Sequence, residues 1–375
     1  MKVFVSTADA SGDLHAAALA AALRERVFEL ELFGLGGGAL AEAGLETIVP
    51  QSELAIGGLL EVFGSAGRVL RGYAKLRRAL LERRPDLVLL VDSPDLNLPL
   101  AGLARRIRLP VYYYIAPQVW AWRHRRVRKL AARTRRVGVI FPFEEDLLRR
   151  AGIAAKFVGH PLVDRMAALR EDLNPARAAR ELGLDPARPV LTLLPGSRRN
   201  ELAANLPVYL ETARLLHARD PELQAQLILA PTLVGPAPEL PDFVRLVRSS
   251  RDEALAVSTC ALAAPGTVTL EAALLGVPLV VAHRTNPLSF ELARRLARVP
   301  SSCMVNLIAQ RGIVPERIQS QARPAALAAE LGRLLGSSDA REEIRTGLAD
   351  AVRRMGGPGA ARRAAELALE AAGRG

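Results

Sequence analysis

Two short turns in this 375-residue chain carry the side chains best suited to chemistry. In Val91-Asp92-Ser93-Pro94-Asp95-Leu96-Asn97, a carboxylate closes the apolar run Leu87–Asp92. A carboxylate there is costly unless it has a partner or a task. One task that fits is accepting a proton from a hydroxyl as general base. Pro94 and Asp95 read differently, as the opening of the next helix, where proline and an acidic side chain suit the free N–H groups. In Leu194-Pro195-Gly196-Ser197-Arg198, backbone N–H groups, a hydroxyl and a guanidinium converge on one turn. That combination fits a diphosphate. A third turn, Ala264-Pro265-Gly266-Thr267-Val268-Thr269-Leu270-Glu271, offers Gly266 and Thr267 to phosphate and Glu271, one helical turn on, to ribose hydroxyls.

Other turns are weaker signals taken singly. Ser6–His15 has small residues, Ser11 and Gly12, that allow close backbone approach, with Asp13 in the first turn of a helix. Its glycine spacing is not that of a dinucleotide fingerprint, nor is that of Gly34–Gly38. Both tryptophans lie in Ile115–Arg123, ahead of a run rich in arginine. That stretch is either a solvated basic helix or a loop meeting an anionic ligand through Trp122 and Arg123. Phe141-Pro142-Phe143-Glu144 and Val158-Gly159-His160-Pro161-Leu162 each follow an apolar run. A lone histidine such as His160 is more often structural than catalytic.

The elements that must position these turns form a regular series. Short apolar runs at Lys2–Ser6, Leu30–Leu35, Leu87–Asp92, Val111–Ile115, Arg136–Phe141 and Ala155–Val158 read as strands covered on both faces. Helical patterns such as Leu14–Arg26, Gly58–Glu82 and Leu96–Ile107 lie between them. That alternation is an α/β doubly wound domain, expected over residues 1–165. After a polar helical stretch a second series begins, with strands at Val190–Leu194, Gln226–Ala230, Cys260–Ala264 and Leu279–Ala282. It is expected to form a second such domain over 185–340, followed by a helical tail over 341–375. Ligands of parallel sheets sit beyond the carboxyl ends of the strands, so two such domains facing each other would line one cleft.

Composition narrows the classes. Half of the residues are apolar, enough for two full cores. The net charge of +12 favours an anionic partner. A nucleic-acid partner is disfavoured, because aromatics are only 4% and no nucleic-acid motif is present. A nicotinamide dehydrogenase lacks its glycine fingerprint. Cys260 and Cys303 make neither a disulfide framework nor a metal spacing. No leader-like segment precedes Lys2, and no run approaches the roughly 20 apolar residues of a spanning helix. The expected location is the cytoplasm, with peripheral contact to the inner face of the membrane.

Seven stretches, in this order, resemble the lipid-A-disaccharide synthases: Ala10-Ser11-Gly12-Asp13, Asp92–Asn97, Val119-Trp120-Ala121-Trp122-Arg123, Phe141–Glu144, Val158–Leu162, Leu194–Arg198 and Gly266–Glu271. The resemblance spans most of the chain. It implies an inverting glycosyltransferase of the two-Rossmann-domain type (GT-B), without cofactor or metal. The donor it implies is UDP-2,3-diacylglucosamine and the acceptor 2,3-diacylglucosamine 1-phosphate, giving the β-1,6-linked disaccharide 1-phosphate and UDP. Carried onto this chain, Asp92 becomes the general base. Gly196, Ser197, Arg198, Gly266, Thr267 and Glu271 hold the nucleotide, with Arg198 neutralising the departing UDP. Ser11, Gly12, Asp13, Trp122, Arg123 and His160 belong to the acceptor side. Two motifs depart from the family pattern, the first of them also carrying Ala8 in place of glycine. Asp9 stands where glutamate is usual, and Pro265 where serine is usual. The nearest alternative is another transferase or an epimerase of this fold acting on UDP-N-acetylglucosamine.

The segment 58–81 adds a separate argument. At about 100° per residue, Leu59, Val62, Phe63, Ala66, Val69, Leu70, Tyr73, Leu76 and Leu80 share a broad arc, and Arg68, Arg71, Lys75 and Arg78 lie opposite. Val62, Val69, Leu76 and Leu80 are expected to pack on the domain's own sheet. Leu60, Phe63 and Leu70 widen the apolar face beyond that need, and with flanking arginines they fit an interfacial helix on anionic lipid.

Overall fold

The computed structural model of the chain describes residues 1–54, 62–117, 125–287, 290–291, 294 and 301–374; the side chains of 54, 62–66 and 125 also lie outside the description. The chain divides into two compact units, Met1–Pro161 with Gly356–Gly375, and Leu162–Met355.

The first unit holds seven strands: β1 (Lys2–Ser6), β2 (Glu31–Gly36), β3 (Leu45–Pro50), β4 (Leu87–Val91), β5 (Val111–Tyr114), β6 (Arg136–Val139) and β7 (Ala155–Phe157). They form one parallel sheet in the order β3-β2-β1-β4-β5-β6-β7. The second unit holds β8 (Val190–Leu194), β9 (Gln224–Ile228), β10 (Val244–Val247), β11 (Cys260–Ala263), β12 (Leu279–His283) and β13 (Glu316–Ile318). Their order is β10-β9-β8-β11-β12-β13, again all parallel. Each sheet is therefore doubly wound, as its sequence leads one to expect.

The central strands form because their residues are apolar on both faces: every residue of β4 and of β8 is buried. Phe4, Val88, Leu90, Tyr113 and Val137 make one core with Leu76 and Leu80 of the helix Val62–Arg83. Burying each such side chain contributes roughly 1.5–3 kcal/mol. In both sheets the winding reverses at the centre, between β1 and β4 and between β8 and β11. Ser6 pairs with Leu90 across the first reversal, and Leu194 with Ala263 across the second. The loops after these four strands thus emerge side by side in pairs, which is where open α/β sheets bind ligands.

Two domain expectations need correction. The first unit ends at Pro161, ahead of the expected 165, and the second begins at Leu162. Residues 341–375 do not form a tail of their own. The helix Ser338–Arg354 belongs to the second unit, whereas Ala360–Ala372 returns to the first and packs on the helix Ala10–Arg24, β5 and β6. Small side chains make this close approach possible: Ala364, Ala365, Ala368 and Ala371 are fully buried. Arg363 locks the return by donating to the Val158 carbonyl at 2.8 Å, and Arg26 reaches Glu366 at 2.9 Å.

Candidate active site

The loops after β1 and β4 are tied by side chains from both. Asp9 caps the helix Ala10–Arg24, accepting from the Gly12 N–H at 2.7 Å and the Ser11 hydroxyl at 2.8 Å. Its other oxygen accepts from the Ser93 hydroxyl at 2.9 Å, and that hydroxyl in turn accepts from the Ala8 N–H at 3.2 Å. Beneath them lies fully buried Asn97. It accepts from the Ser6 hydroxyl at 2.7 Å and donates to the carbonyls of Val91 and Asp92 at 3.0 and 2.8 Å.

Asp92 sits on this frame with a left-handed backbone, φ +45°, followed by Ser93 at +43°. Two consecutive non-glycine residues in that region are uncommon, though aspartate tolerates it better than most. Ile115, at the end of neighbouring β5, is also left-handed at φ +58°, a strained conformation for a β-branched residue. The surroundings hold these conformations. The Asp92 N–H donates to the Tyr114 carbonyl at 3.2 Å, and its own carbonyl accepts from Asn97 and from the buried Tyr113 hydroxyl. The Ile115 N–H donates to Gly138 at 3.0 Å. Among the described residues no cation pairs with the Asp92 carboxylate. Burial, and secondarily the negative charge of Asp9, push its pKa from 3.8 up to about 6. A carboxylate poised there is ionised at neutral pH yet retains basicity, as a general base requires.

The other residues of this unit separate into groups. Ser11 and Gly12 lie in the loop after β1, beside Asp9. Asp13 is buried, and its carboxylate accepts from the N–H groups of Gly37 and Ala39 at 2.6 and 2.9 Å. It thereby holds the loop after β2. Asp95 is exposed and ion-paired with Arg126, in keeping with a structural task at the start of the helix Pro94–Arg106. His160 is buried against Phe141, ring centroids 5.2 Å apart. Burial chiefly, and His15 nearby, depress its pKa to about 3, so the imidazole is neutral. Trp122 and Arg123 lie outside the described residues.

In the second unit the turn after β8 leads into the helix Arg199–His217. Gly196 takes φ +124°, which only glycine adopts readily. Asn205 donates to the Pro195 carbonyl at 2.8 Å, and Thr232 to the Ser197 carbonyl at 2.7 Å. Glu201 accepts from the N–H groups of Ser197 and Arg198 at 2.9 and 3.3 Å, and from the Arg198 guanidinium at 3.0 Å. After β11, Gly266 has φ +145° and open space where a Cβ would stand, and Thr267 is exposed. Glu271 is paired with Arg165 at 2.7 Å, and Arg165 also reaches Asp252 at 3.4 Å. Burial, partly opposed by Arg165, raises the Glu271 pKa.

Sequence reading missed Glu201, Asn205 and Arg165. Glu201 had a signal, an acidic residue at the third position of a helix, where it reaches back to the cap. Asn205 and Arg165 had none, because their contacts join residues far apart in sequence.

On the helix Val62–Arg83, Leu76 and Leu80 are buried and Val69 packs on the core, as expected, while Leu70 is 68% exposed. Leu60 and the side chain of Phe63 lie outside the described residues. Among those described, no helix is long and apolar enough to cross a membrane, and no group of three or more His, Cys, Asp or Glu is placed to hold a metal ion.

Two doubly wound units with ligand-ready turns at their winding reversals define a GT-B glycosyltransferase fold. Solved structures of that architecture superpose over nearly the whole chain. A glycosyltransferase of kitacinnamycin matches with TM-score 0.62 and 19% identity, covering 99% of this chain and 98% of its own. A UDP-GlcNAc 2-epimerase from Neisseria meningitidis, bound to UDP-GlcNAc, matches with TM-score 0.64 and 13% identity, covering 94% and 98%. Sequence comparison is more specific. The family model for lipid-A-disaccharide synthetase matches residues 3–371, and a lipid-A-disaccharide synthase of Geobacter metallireducens is 40% identical over 378 aligned positions, covering 100% of this chain and 98% of its own. The chain belongs to the lipid-A-disaccharide synthase family and is a glycosyltransferase.

Proposed function

We propose that this enzyme transfers 2,3-diacylglucosamine from UDP-2,3-diacylglucosamine to the 6-hydroxyl of 2,3-diacylglucosamine 1-phosphate, with Asp92 as general base. The observation that carries the chemistry is the half-buried Asp92 carboxylate at the winding reversal of the first sheet, its pKa lifted to about 6. An alcohol is a poor nucleophile and must lose its proton as it attacks. The proton passes to Asp92 while the new bond forms at the anomeric carbon. The bond to UDP breaks on the opposite face, and its electron pair leaves with the diphosphate. Inversion gives the β-1,6 linkage.

The departing charge needs fixed donors. Ser197, Arg198 and Gly266–Thr267 offer N–H groups, hydroxyls and a guanidinium at two turns of the second unit; at the first, Gly196 leaves room that the Glu201 carboxylate fills. Glu271, oriented by Arg165, accepts from the ribose hydroxyls. The family resemblance assigns Ser11, Gly12, Trp122 and Arg123 to the acceptor. Asp13 acts indirectly by holding the neighbouring loop, and neutral His160 offers a hydrogen bond but no charge.

The acyl chains place both substrates in a lipid layer. Exposed Leu70, flanked by exposed Arg68 and Arg71, supports contact with the anionic inner face of the cytoplasmic membrane, to which the sequence pattern adds Leu60 and Phe63. Mass spectrometry of the product formed from the two lipid substrates tests the assignment. The disaccharide 1-phosphate is the expected product. Turnover of UDP-N-acetylglucosamine in place of the diacyl donor would overturn it.

A further inference from the structure

We propose that Glu201 is an internal counter-anion of the donor turn: it holds the phosphate-binding groups until a diphosphate takes them, and reclaims them as UDP leaves. The proposal deepens, and rests on, the reading that the UDP diphosphate binds at Gly196–Arg198.

Three donors converge on this one carboxylate. The N–H groups of Ser197 and Arg198 reach Oε2 at 2.9 and 3.3 Å, and Nη1 of Arg198 reaches Oε1 at 3.0 Å. Two backbone N–H groups and a guanidinium are what a phosphate oxygen would use at the start of a helix. An N–H group makes one strong hydrogen bond, so a diphosphate and Glu201 compete for the same donors. Two anions over one turn also repel.

Gly196 shows that the turn is shaped around Glu201. A Cβ at Gly196 would stand 2.5 Å from Oε2 and 2.7 Å from the Cβ of Glu201. Glycine alone leaves room for the carboxylate to fold over the turn. The frame of the turn is secured by other residues. Asn205 fixes the Pro195 carbonyl, Thr232 fixes the Ser197 carbonyl, and Asn205 is itself held by the Arg284 N–H at 2.7 Å. What Glu201 adds is therefore chiefly charge. The Arg198 side chain is 76% exposed, against 19% for Glu201, so the guanidinium is free to turn toward an arriving anion.

The consequence is a donor site that binds UDP less tightly than its donors allow. A carboxylate that re-engages the turn assists product release, a step that limits many enzymes.

The test is calorimetry with UDP on the wild type, Glu201→Gln, Glu201→Ala and Arg198→Ala, each checked for folding by thermal melting. Glutamine keeps the size and one acceptor oxygen but removes the charge. Glu201→Gln is expected to bind UDP about 5–30-fold more tightly, through relief of competition and repulsion. The inhibition constant for UDP and the KM for the donor should fall together, with kcat no higher. A residue that merely shapes the turn would weaken binding when replaced. UDP affinity in folded Glu201→Gln that is equal to or weaker than wild type overturns the proposal. Arg198→Ala separates the two readings. If it binds UDP as the wild type does, the diphosphate lies elsewhere and the donor-site reading itself fails. If it weakens UDP while the Glu201 variants do not tighten it, the donor site stands and only the counter-anion role is lost.

Discussion

The Ser93 hydroxyl donates to the Asp9 carboxylate at 2.9 Å, and this bond joins the loops after β1 and β4 immediately beside Asp92. Asp9 therefore does two things at once. It caps the helix Ala10–Arg24, and its negative charge helps raise the Asp92 pKa.

A pH profile follows from that second effect. The acidic limb of kcat/KM is expected near pH 6, where Asp92 loses its proton. Asp9→Asn keeps the cap, since asparagine caps as well as aspartate. It removes a charge that raises the Asp92 pKa, so the acidic limb should move to lower pH. The shift should be partial, because burial is the larger cause. An acidic limb in Asp9→Asn that stays in place would remove Asp9 from the electrostatics of the base.

The same pKa has a stability cost. The folded-state value, about 6, exceeds the ordinary 3.8, so the folded protein binds the proton more tightly than the unfolded chain. Stability from this group is full below pH 3.8 and falls as pH rises through about 6. Asp92→Asn should accordingly gain stability relative to wild type at pH 7.5, by at most about 3 kcal/mol at 1.36 kcal/mol per unit, and little at pH 4. Asparagine also accepts the left-handed backbone. Urea unfolding at the two pH values reads the difference. A variant less stable than wild type at pH 7.5 would contradict the buried-charge account.

The sequence disclosed the strands that are covered on both faces and concealed three of the four at the rims, β7 being the exception. β1 and β8 were read residue for residue, because every position from Val3 and from Val190 onward is apolar or small and buried. The strands that escaped, β3, β10 and β13, are all edge strands with part-exposed, mixed sequences such as Glu316–Ile318. Asp92 was legible because a charge ending an apolar strand is unusual. Its supports were not. Asn97 looks like any first-turn polar residue until Ser6, 91 positions away, bonds to it. The pairing of Glu271 with Arg165 likewise spans 106 positions. The return of Ala360–Ala372 to the first unit was hidden because an amphipathic pattern does not say which unit its small-residue face will meet.

Membrane contact is separable from folding at Leu70. The side chain is 68% exposed, so Leu70→Ser should change stability by no more than about 0.5 kcal/mol. If Leu70 enters lipid, the same change should weaken binding to anionic liposomes by about 1.5–3 kcal/mol, and the triple change with Leu60 and Phe63 should release the protein. Each nearby arginine adds about 1 kcal/mol, a part that salt should screen while the apolar part persists. Undiminished sedimentation of the folded triple variant with vesicles would remove Leu70 and its neighbours from any membrane contact.

The central claim is that Asp92 takes the proton of the acceptor hydroxyl. Steady-state turnover of Asp92→Asn, with both lipid substrates saturating and UDP affinity measured alongside, tests it most directly. Turnover should fall about 10²–10⁴-fold, the usual worth of a general base, while UDP binding should be unchanged, because the turns proposed to hold UDP lie in the second unit. A folded, saturable Asp92→Asn enzyme turning over at near the wild-type rate would place the base elsewhere.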